Sequence, residues 1–168
     1  TQRPQGPAAC PPAHYPTTVR FQGPPPVSPL ICYEIIVPHE VADSRDRPQW
    51  VLNLTNDAWY GKTAGPHQHF VSARLRAVEE GLPTVRVAFT GISGIVDGYG
   101  RVLKRLSLGE KGFVDGDLPQ ALEQPGLYAR FGNALPVGLS VGVPVVGVVL
   151  GFAQSKHHFQ YDFRSPFN

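Results

Sequence analysis

Of the two cysteines in this chain, Cys32 is the one placed to do chemistry. A short apolar run, Val27 to Ile31, delivers it to its own end, and Glu34 then opens a segment that reads as helix. A strand-to-helix elbow of this kind stands a sulfur proud of a sheet edge while the amides of the next turn point towards it. Their partial positive charge favours thiolate over thiol. The plainer alternative for a lone cysteine in an apolar run is a small buried hydrophobe. Tyr33 and Glu34 flank the thiol, and Glu34 either orients groups beside it or caps the turn as a first-turn charge. Further on, Asn56, Asp57 and Trp59 follow the end of a second apolar run, where Asn56 and Asp57 are equally turn formers. His67 and His69 invite a metal reading, but no third ligand stands at useful spacing, so no metal is expected. No Gly-rich phosphate loop is visible, and no cofactor is implied.

These residues need elements to hold them. Residues 1–26 hold Pro4, Pro7, Pro11, Pro12, Pro16 and the Pro24-Pro25-Pro26 run, which predicts a leader, disordered or poorly packed, that buries too little to offset its ordering entropy. The first strand is predicted over 27–32 and a helix, interrupted by Pro38, over about 34–41. Residues 50–54 form the second strand and stop on Thr55-Asn56-Asp57. Residues 67–80 have helical spacing, with Val71, Leu75, Val78 and Leu82 on one stripe and Gly81 placed to end the helix. Arg74 and Arg76 on it suit ion pairs or snorkelling along the helix surface. Strands are predicted over 83–89, 94–96 and 101–106, the last two joined by the hairpin signal Asp97-Gly98-Tyr99-Gly100, and one more over 113–117. Mixed strands and helices with hairpins give an α/β class whose sheet is at least partly antiparallel.

The C-terminal part is a different material. No charged residue occurs between Arg130 and Lys156, and residues 134–153 are almost wholly apolar. At about −0.3 to −0.6 kcal/mol for each of eleven large apolar side chains, insertion of such a helix gains roughly 3 to 6 kcal/mol before Pro136, Pro144 and the glycines subtract from it. The length suits a transmembrane helix, followed by a short tail over 154–168. Gly138/Gly142 and Gly147/Gly151 would allow close packing on other membrane helices. Lys156 and Arg164 beyond the span, against Arg130 before it, favour a C-terminus on the inside.

Composition narrows the rest. At 168 residues there is room for one domain with a core. A formal charge of +2 is too small to argue for nucleic acid. A Cys10–Cys32 bridge would be a single link rather than a framework, and nothing at the N-terminus has the pattern of a cleavable targeting segment.

Taken together, Ile31-Cys32-Tyr33-Glu34, then Leu54-Thr55-Asn56-Asp57-Ala58-Trp59-Tyr60-Gly61, then Gly65-Pro66-His67-Gln68-His69-Phe70 with Ala73-Arg74-Leu75-Arg76-Ala77-Val78-Glu79 resemble the nitrilase-like catalytic domain of bacterial apolipoprotein N-acyltransferases. The likeness continues through Arg86 and Thr90-Gly91-Ile92-Ser93 to Leu127-Tyr128-Ala129-Arg130-Phe131-Gly132-Asn133, covering about residues 27–153 with the closing membrane helix. The resemblance implies an α/β fold, here a partial nitrilase-like αββα sandwich over 27–130 followed by one transmembrane helix over 134–153. It implies a bacterial inner-membrane enzyme with its catalytic domain in the periplasm. Its partners would be a phospholipid acyl donor and a diacylated apolipoprotein acceptor, with no cofactor and no nucleic acid. Cys32 would be the nucleophile, with Tyr33, Glu34, Asn56, Asp57 and Trp59 lining the site. The family's glutamate base and lysine precede the cysteine, whereas ahead of Cys32 this chain has neither Glu nor Lys. Phe89 stands where the family usually has an asparagine. The expectation is therefore the C-terminal portion of such an enzyme, inactive by itself. The alternatives are a soluble carbon–nitrogen hydrolase acting on a small amide or nitrile, and a non-catalytic remnant.

Overall fold

The computed structural model describes residues 16–162, with side chains as far as residue 152. Cys10, the rest of residues 1–15 and the end of the tail at 163–168 lie outside the described residues. Cys32 is a free thiol. The chain divides into two units, residues 1–130 and 131–168.

In the first unit, five strands form one sheet in chain order: β1 (Val27–Ile31), β2 (Trp50–Asn56), β3 (Thr84–Phe89), β4 (Ser93–Val96) and β5 (Val102–Leu106). The first three run parallel and the last two pairings are antiparallel. Parallel neighbours require a crossover, and helix α1 (Gly65–Glu80) supplies the one between β2 and β3. The register sets Leu30, Asn53 and Arg86 in one cross-strand row and Ile31, Leu54 and Val87 in the next. Successive residues point to opposite faces, so these two rows define the two sides of the sheet.

One side is covered. Leu30, Ile35, Val41, Ala42, Val51, Ala73 and Leu82 form one buried cluster, and Phe70, Ala77, Ile92 and Val96 a second, so α1 contributes to both. The other side is bare over β1 to β3: Ile31, Leu54, Val87 and Phe89 are 56%, 40%, 52% and 66% exposed.

Several local expectations change. Cys32–Ile36 is a single 3₁₀ turn rather than a helix reaching residue 41. The β-branched run Ile35-Ile36-Val37 is a poor helix former, Pro38 follows, and His39 sits at φ 67°. Helix α1 begins at Gly65 with Pro66 in its first turn and ends on Gly81 at φ 66°, the left-handed cap predicted for it. Of its predicted stripe only Leu82, just beyond the helix, is buried. Val71, Leu75 and Val78 are 55%, 49% and 48% exposed, and the buried side is Pro66, His69, Phe70, Ala73, Arg76, Ala77 and Glu80. Arg76 pairs with Glu79 at 2.9 Å and Arg74 Nε donates to the Gly100 carbonyl at 2.9 Å.

The Asp97–Gly100 hairpin forms, with the Asp97 amide donating to Arg101 O and the Gly100 amide to Asp97 O. No strand is found over 113–117. That segment lies over the β3–β5 part of the sheet face instead, bounding a cavity of about 410 Å³ with Val85, Val87, Ile95 and Leu106, and enters no strand pairing. Gly116 weakens its extended preference further.

The described end of the Pro-rich stretch is held down. Arg20 forks onto the Asp46 carboxylate, Val19 pairs with Val27, and Trp50 Nε1 donates to Pro25 O at 2.9 Å. These partners were not legible from proline content.

After the short helix α2 (Leu127–Phe131), the second unit is α3 (Ala134–Asp162), whose stretch Ala134–Phe152 is long and apolar enough to cross a membrane and has none of its residues buried. Pro144 lies inside it.

Candidate active site

The apolar strand β1 ends at Ile31 in extended conformation, and Cys32 follows at φ 54°. A residue with a Cβ pays about 1 to 3 kcal/mol to hold that left-handed conformation, so the surroundings must impose it. Two side chains do so. The Glu34 carboxylate accepts the Ile31 amide at 2.5 Å, which makes Glu34 the cap of the turn. Asn53 Nδ2 donates to the carbonyls of Leu30 and Cys32, each at 3.3 Å, bracing both sides of the elbow. Cys32 itself is half-buried.

Asn53 is in turn fixed from β3, because the register places Arg86 beside it and Arg86 Nη1 donates to Asn53 Oδ1. The same guanidinium donates from Nη2 to Asp57 Oδ2 at 2.8 Å and from Nε to Ile92 O at 3.3 Å. Asp57 also accepts from Thr55 Oγ1 at 3.1 Å, and its Oδ1 lies 3.0 Å from His69 Nδ1. The side chains of Arg86 and Asp57 are wholly buried, a placement that two charges tolerate only when paired and fully hydrogen-bonded. Burial lowers the Arg86 pKa, and the Asp57 charge opposes that shift. Burial, then the Arg86 charge, lowers the His69 pKa, while Asp57 and the Cys32 backbone act the other way; the ring is neutral at neutral pH.

Gly91 makes room for this cluster, since a Cβ there would stand 2.2 Å from Asp57 Oδ2. Thr90, at φ 56°, turns the chain into that position.

An aromatic group sits at the mouth. Tyr33 stacks on His69 with ring centres 5.3 Å apart and planes 20° off parallel, and Trp59 meets Tyr33 edge-on at 5.9 Å. The Tyr60 hydroxyl donates to that of Tyr33, and burial together with this bond pushes the Tyr60 pKa up to about 12. Trp59 is 70% exposed, an unusual cost for a large apolar ring and one that fits an apolar ligand surface. Beside it lies a cavity of about 440 Å³ lined by Ala58, Gly61, Lys62, Thr90, Leu108 and Gly109.

Of the residues singled out by sequence, Cys32, Tyr33, Glu34, Asp57 and Trp59 thus belong to one locality. Asn56 points elsewhere, accepting the Ala58 amide at 3.0 Å as a turn former. His67 is exposed whereas His69 is buried against Asp57, and among the described residues no group of three or more His, Cys, Asp or Glu is arranged for a metal. Sequence reasoning missed Asn53, His69 and Arg86 as site components. The signal was there for two of them: Asn53 within Val-Leu-Asn-Leu and Arg86 within Val-Arg-Val are polar residues at inward positions of apolar strands.

The family model for carbon-nitrogen hydrolases matches residues 6–125. The chain is 48% identical over 126 residues to an apolipoprotein N-acyltransferase of Rhodopseudomonas palustris, covering 75% of this chain and 23% of that one. It is 47% identical over 135 residues to the Bradyrhizobium diazoefficiens protein of the same name, covering 80% and 25%. The chain therefore spans about a quarter of the length of these relatives. Among solved structures, an amidase of the nitrilase superfamily from Nesterenkonia aligns with TM-score 0.47 and 23% identity over 68% of this chain and 40% of the other. With a family match over most of its length, the chain belongs to the carbon-nitrogen hydrolases.

Proposed function

We propose that this chain is the nucleophile-bearing portion of an apolipoprotein N-acyltransferase. The observation that carries the reading is the strained Cys32 elbow, braced by Asn53, Arg86 and Asp57, in a chain 48% identical to an enzyme of that name. The Cys32 thiolate attacks the acyl ester carbonyl of a phospholipid, and the lysophospholipid oxygen leaves with a proton. The α-amino group of a diacylglyceryl-cysteine lipoprotein then attacks the thioester, loses a proton and releases the thiolate. Tyr33 and Trp59 offer an apolar surface to the acyl chain. The helix α3 keeps the site at the inner membrane, with the first unit on the periplasmic side.

No Glu or Lys precedes Cys32 in these 168 residues, so the base and the cation that meets the oxyanion come from another polypeptide segment. The bare face of the sheet, with Ile31, Leu54, Val87 and Phe89 exposed, fits a second layer supplied by that segment. Alone, the chain lacks general-base help worth about 10² to 10⁴ in rate and an oxyanion partner worth about 10² to 10³, and does not turn over. The test is reconstitution in phospholipid with a diacylated lipoprotein peptide. The expected result is no triacylated product from the chain alone, and product when the remaining portion of the Rhodopseudomonas palustris relative is added. Product from the chain alone, or from a Cys32→Ser variant in the complemented mixture, overturns the reading.

A further inference from the structure

We infer that His69 is a positioning residue for Cys32, supporting Tyr33 from below and through it the elbow; the inference rests on Cys32 being the nucleophile proposed above. The His69 side chain is 1% exposed, yet it is not packed as a space-filler. One ring nitrogen, Nδ1, lies 3.0 Å from Asp57 Oδ1 and 3.1 Å from Arg86 Nη2. Arg86 only donates and the carboxylate only accepts, so either neutral tautomer finds a partner there. A protonated ring would set a second cation against Arg86 in a dry site.

The groups facing the ring are Asp57, Arg86, Tyr33, Tyr60 and the Cys32 backbone. Tyr33 covers one ring face at 5.3 Å, and Tyr60, tilted at 6.1 Å, bonds to the Tyr33 hydroxyl. The buried Nε2 makes no hydrogen bond of ordinary geometry, yet the Cys32 backbone lies close enough to favour the charged ring. The ring therefore touches the residue after the nucleophile by its face and acts on the nucleophile's own peptide by its edge. Burial and the Arg86 charge tip the ring towards its neutral form, against the pull of Asp57 and of the Cys32 backbone. Acidification that charges His69 repels it from Arg86, disturbs the Tyr33 stack and alters the presentation of the Cys32 thiol.

The test uses the full 168-residue chain in detergent and dithiodipyridine, a thiol probe that keeps reacting in acid. Labelling rates are followed from about pH 4 to pH 8, across the ordinary histidine range, and each adduct is assigned to Cys32 or Cys10 by peptide mass. The expected profile for Cys32 has an inflection below the ordinary histidine pKa that is absent at Cys10. His69→Gln, which keeps polar contacts but cannot titrate, and His69→Phe, which keeps the stack alone, both lose it. Variant profiles that superimpose on the wild type, at unchanged melting temperature, overturn the inference. Should the variants not fold, ring-labelled histidine spectra of the wild type decide: alkylating Cys32 is expected to shift the His69 resonance and leave that of His67, and no shift at His69 overturns the inference. A Cys32→Ser variant that still forms product would instead remove the nucleophile assignment and leave this profile standing.

Discussion

The polar cluster beneath Cys32 makes single-residue effects large because each member satisfies another. Arg86→Leu strips Asp57 and Asn53 of their donor and leaves a buried carboxylate unpaired, so it should cost about 3 to 5 kcal/mol in denaturant unfolding. Gly91→Ala places a methyl 2.2 Å from Asp57 Oδ2 and 2.8 Å from Ala88 Cβ, and should cost about 1 to 3 kcal/mol by overpacking. His69 adds a pH term of known sign. Its folded pKa lies below the unfolded value of about 6.5, so the stability it contributes is present above that value and is lost as pH falls towards the folded pKa. The melting temperature of the wild type should therefore drop on acidification below about pH 6.5 more steeply than that of His69→Gln. At this scale, sequence singled out Cys32, Tyr33, Glu34, Asp57 and Trp59, which the fold brings into one locality, and missed Asn53, His69 and Arg86, which hold them. Cys32 and its neighbours were legible from local contrast, but His69, 12 positions from Asp57 and 17 from Arg86, acquires meaning only when α1 lays it over both.

Elements were found by periodicity and misread in orientation. Helix α1 has two apolar stripes: Val71, Leu75 and Val78, which are larger, and Phe70, Ala73 and Ala77, which are mostly smaller. Size pointed to the first, but Ala73 and Ala77 let the helix approach a core already filled by Leu30, Val51 and Leu82. Leu75→Gln should accordingly change stability by no more than about 0.5 kcal/mol. Ala73→Leu, at a position with no exposed surface, should cost about 1 to 3 kcal/mol. Charged residues confused the pattern as well, since Arg76 and Glu80 lie on the buried side, where Glu79 pairs with Arg76 and Arg47 reaches Glu80. The places of the five strands and the β4–β5 hairpin, by contrast, followed from apolar runs and one turn. The predicted strand over 113–117 failed because a strand is a property of a pair, and no partner edge adjoins that segment.

At the scale of the molecule, two features shape behaviour in solution. The bare sheet face predicts that the isolated first unit self-associates unless another layer covers Ile31, Leu54, Val87 and Phe89; light scattering should fall when a complementing segment is added. The apolar helix Ala134–Phe152 predicts that the chain stays with the membrane pellet after alkaline extraction, and that a chain ending before Ala134 does not. The central claim, that Cys32 receives an acyl group, is tested most directly by mass. The complemented protein is incubated with phospholipid and no acceptor, digested, and the peptide carrying Cys32 is weighed. The account predicts an added acyl mass on that peptide, removed by hydroxylamine and missing from Cys32→Ser; an acyl adduct on another residue, or triacylated product formed without Cys32, would contradict it.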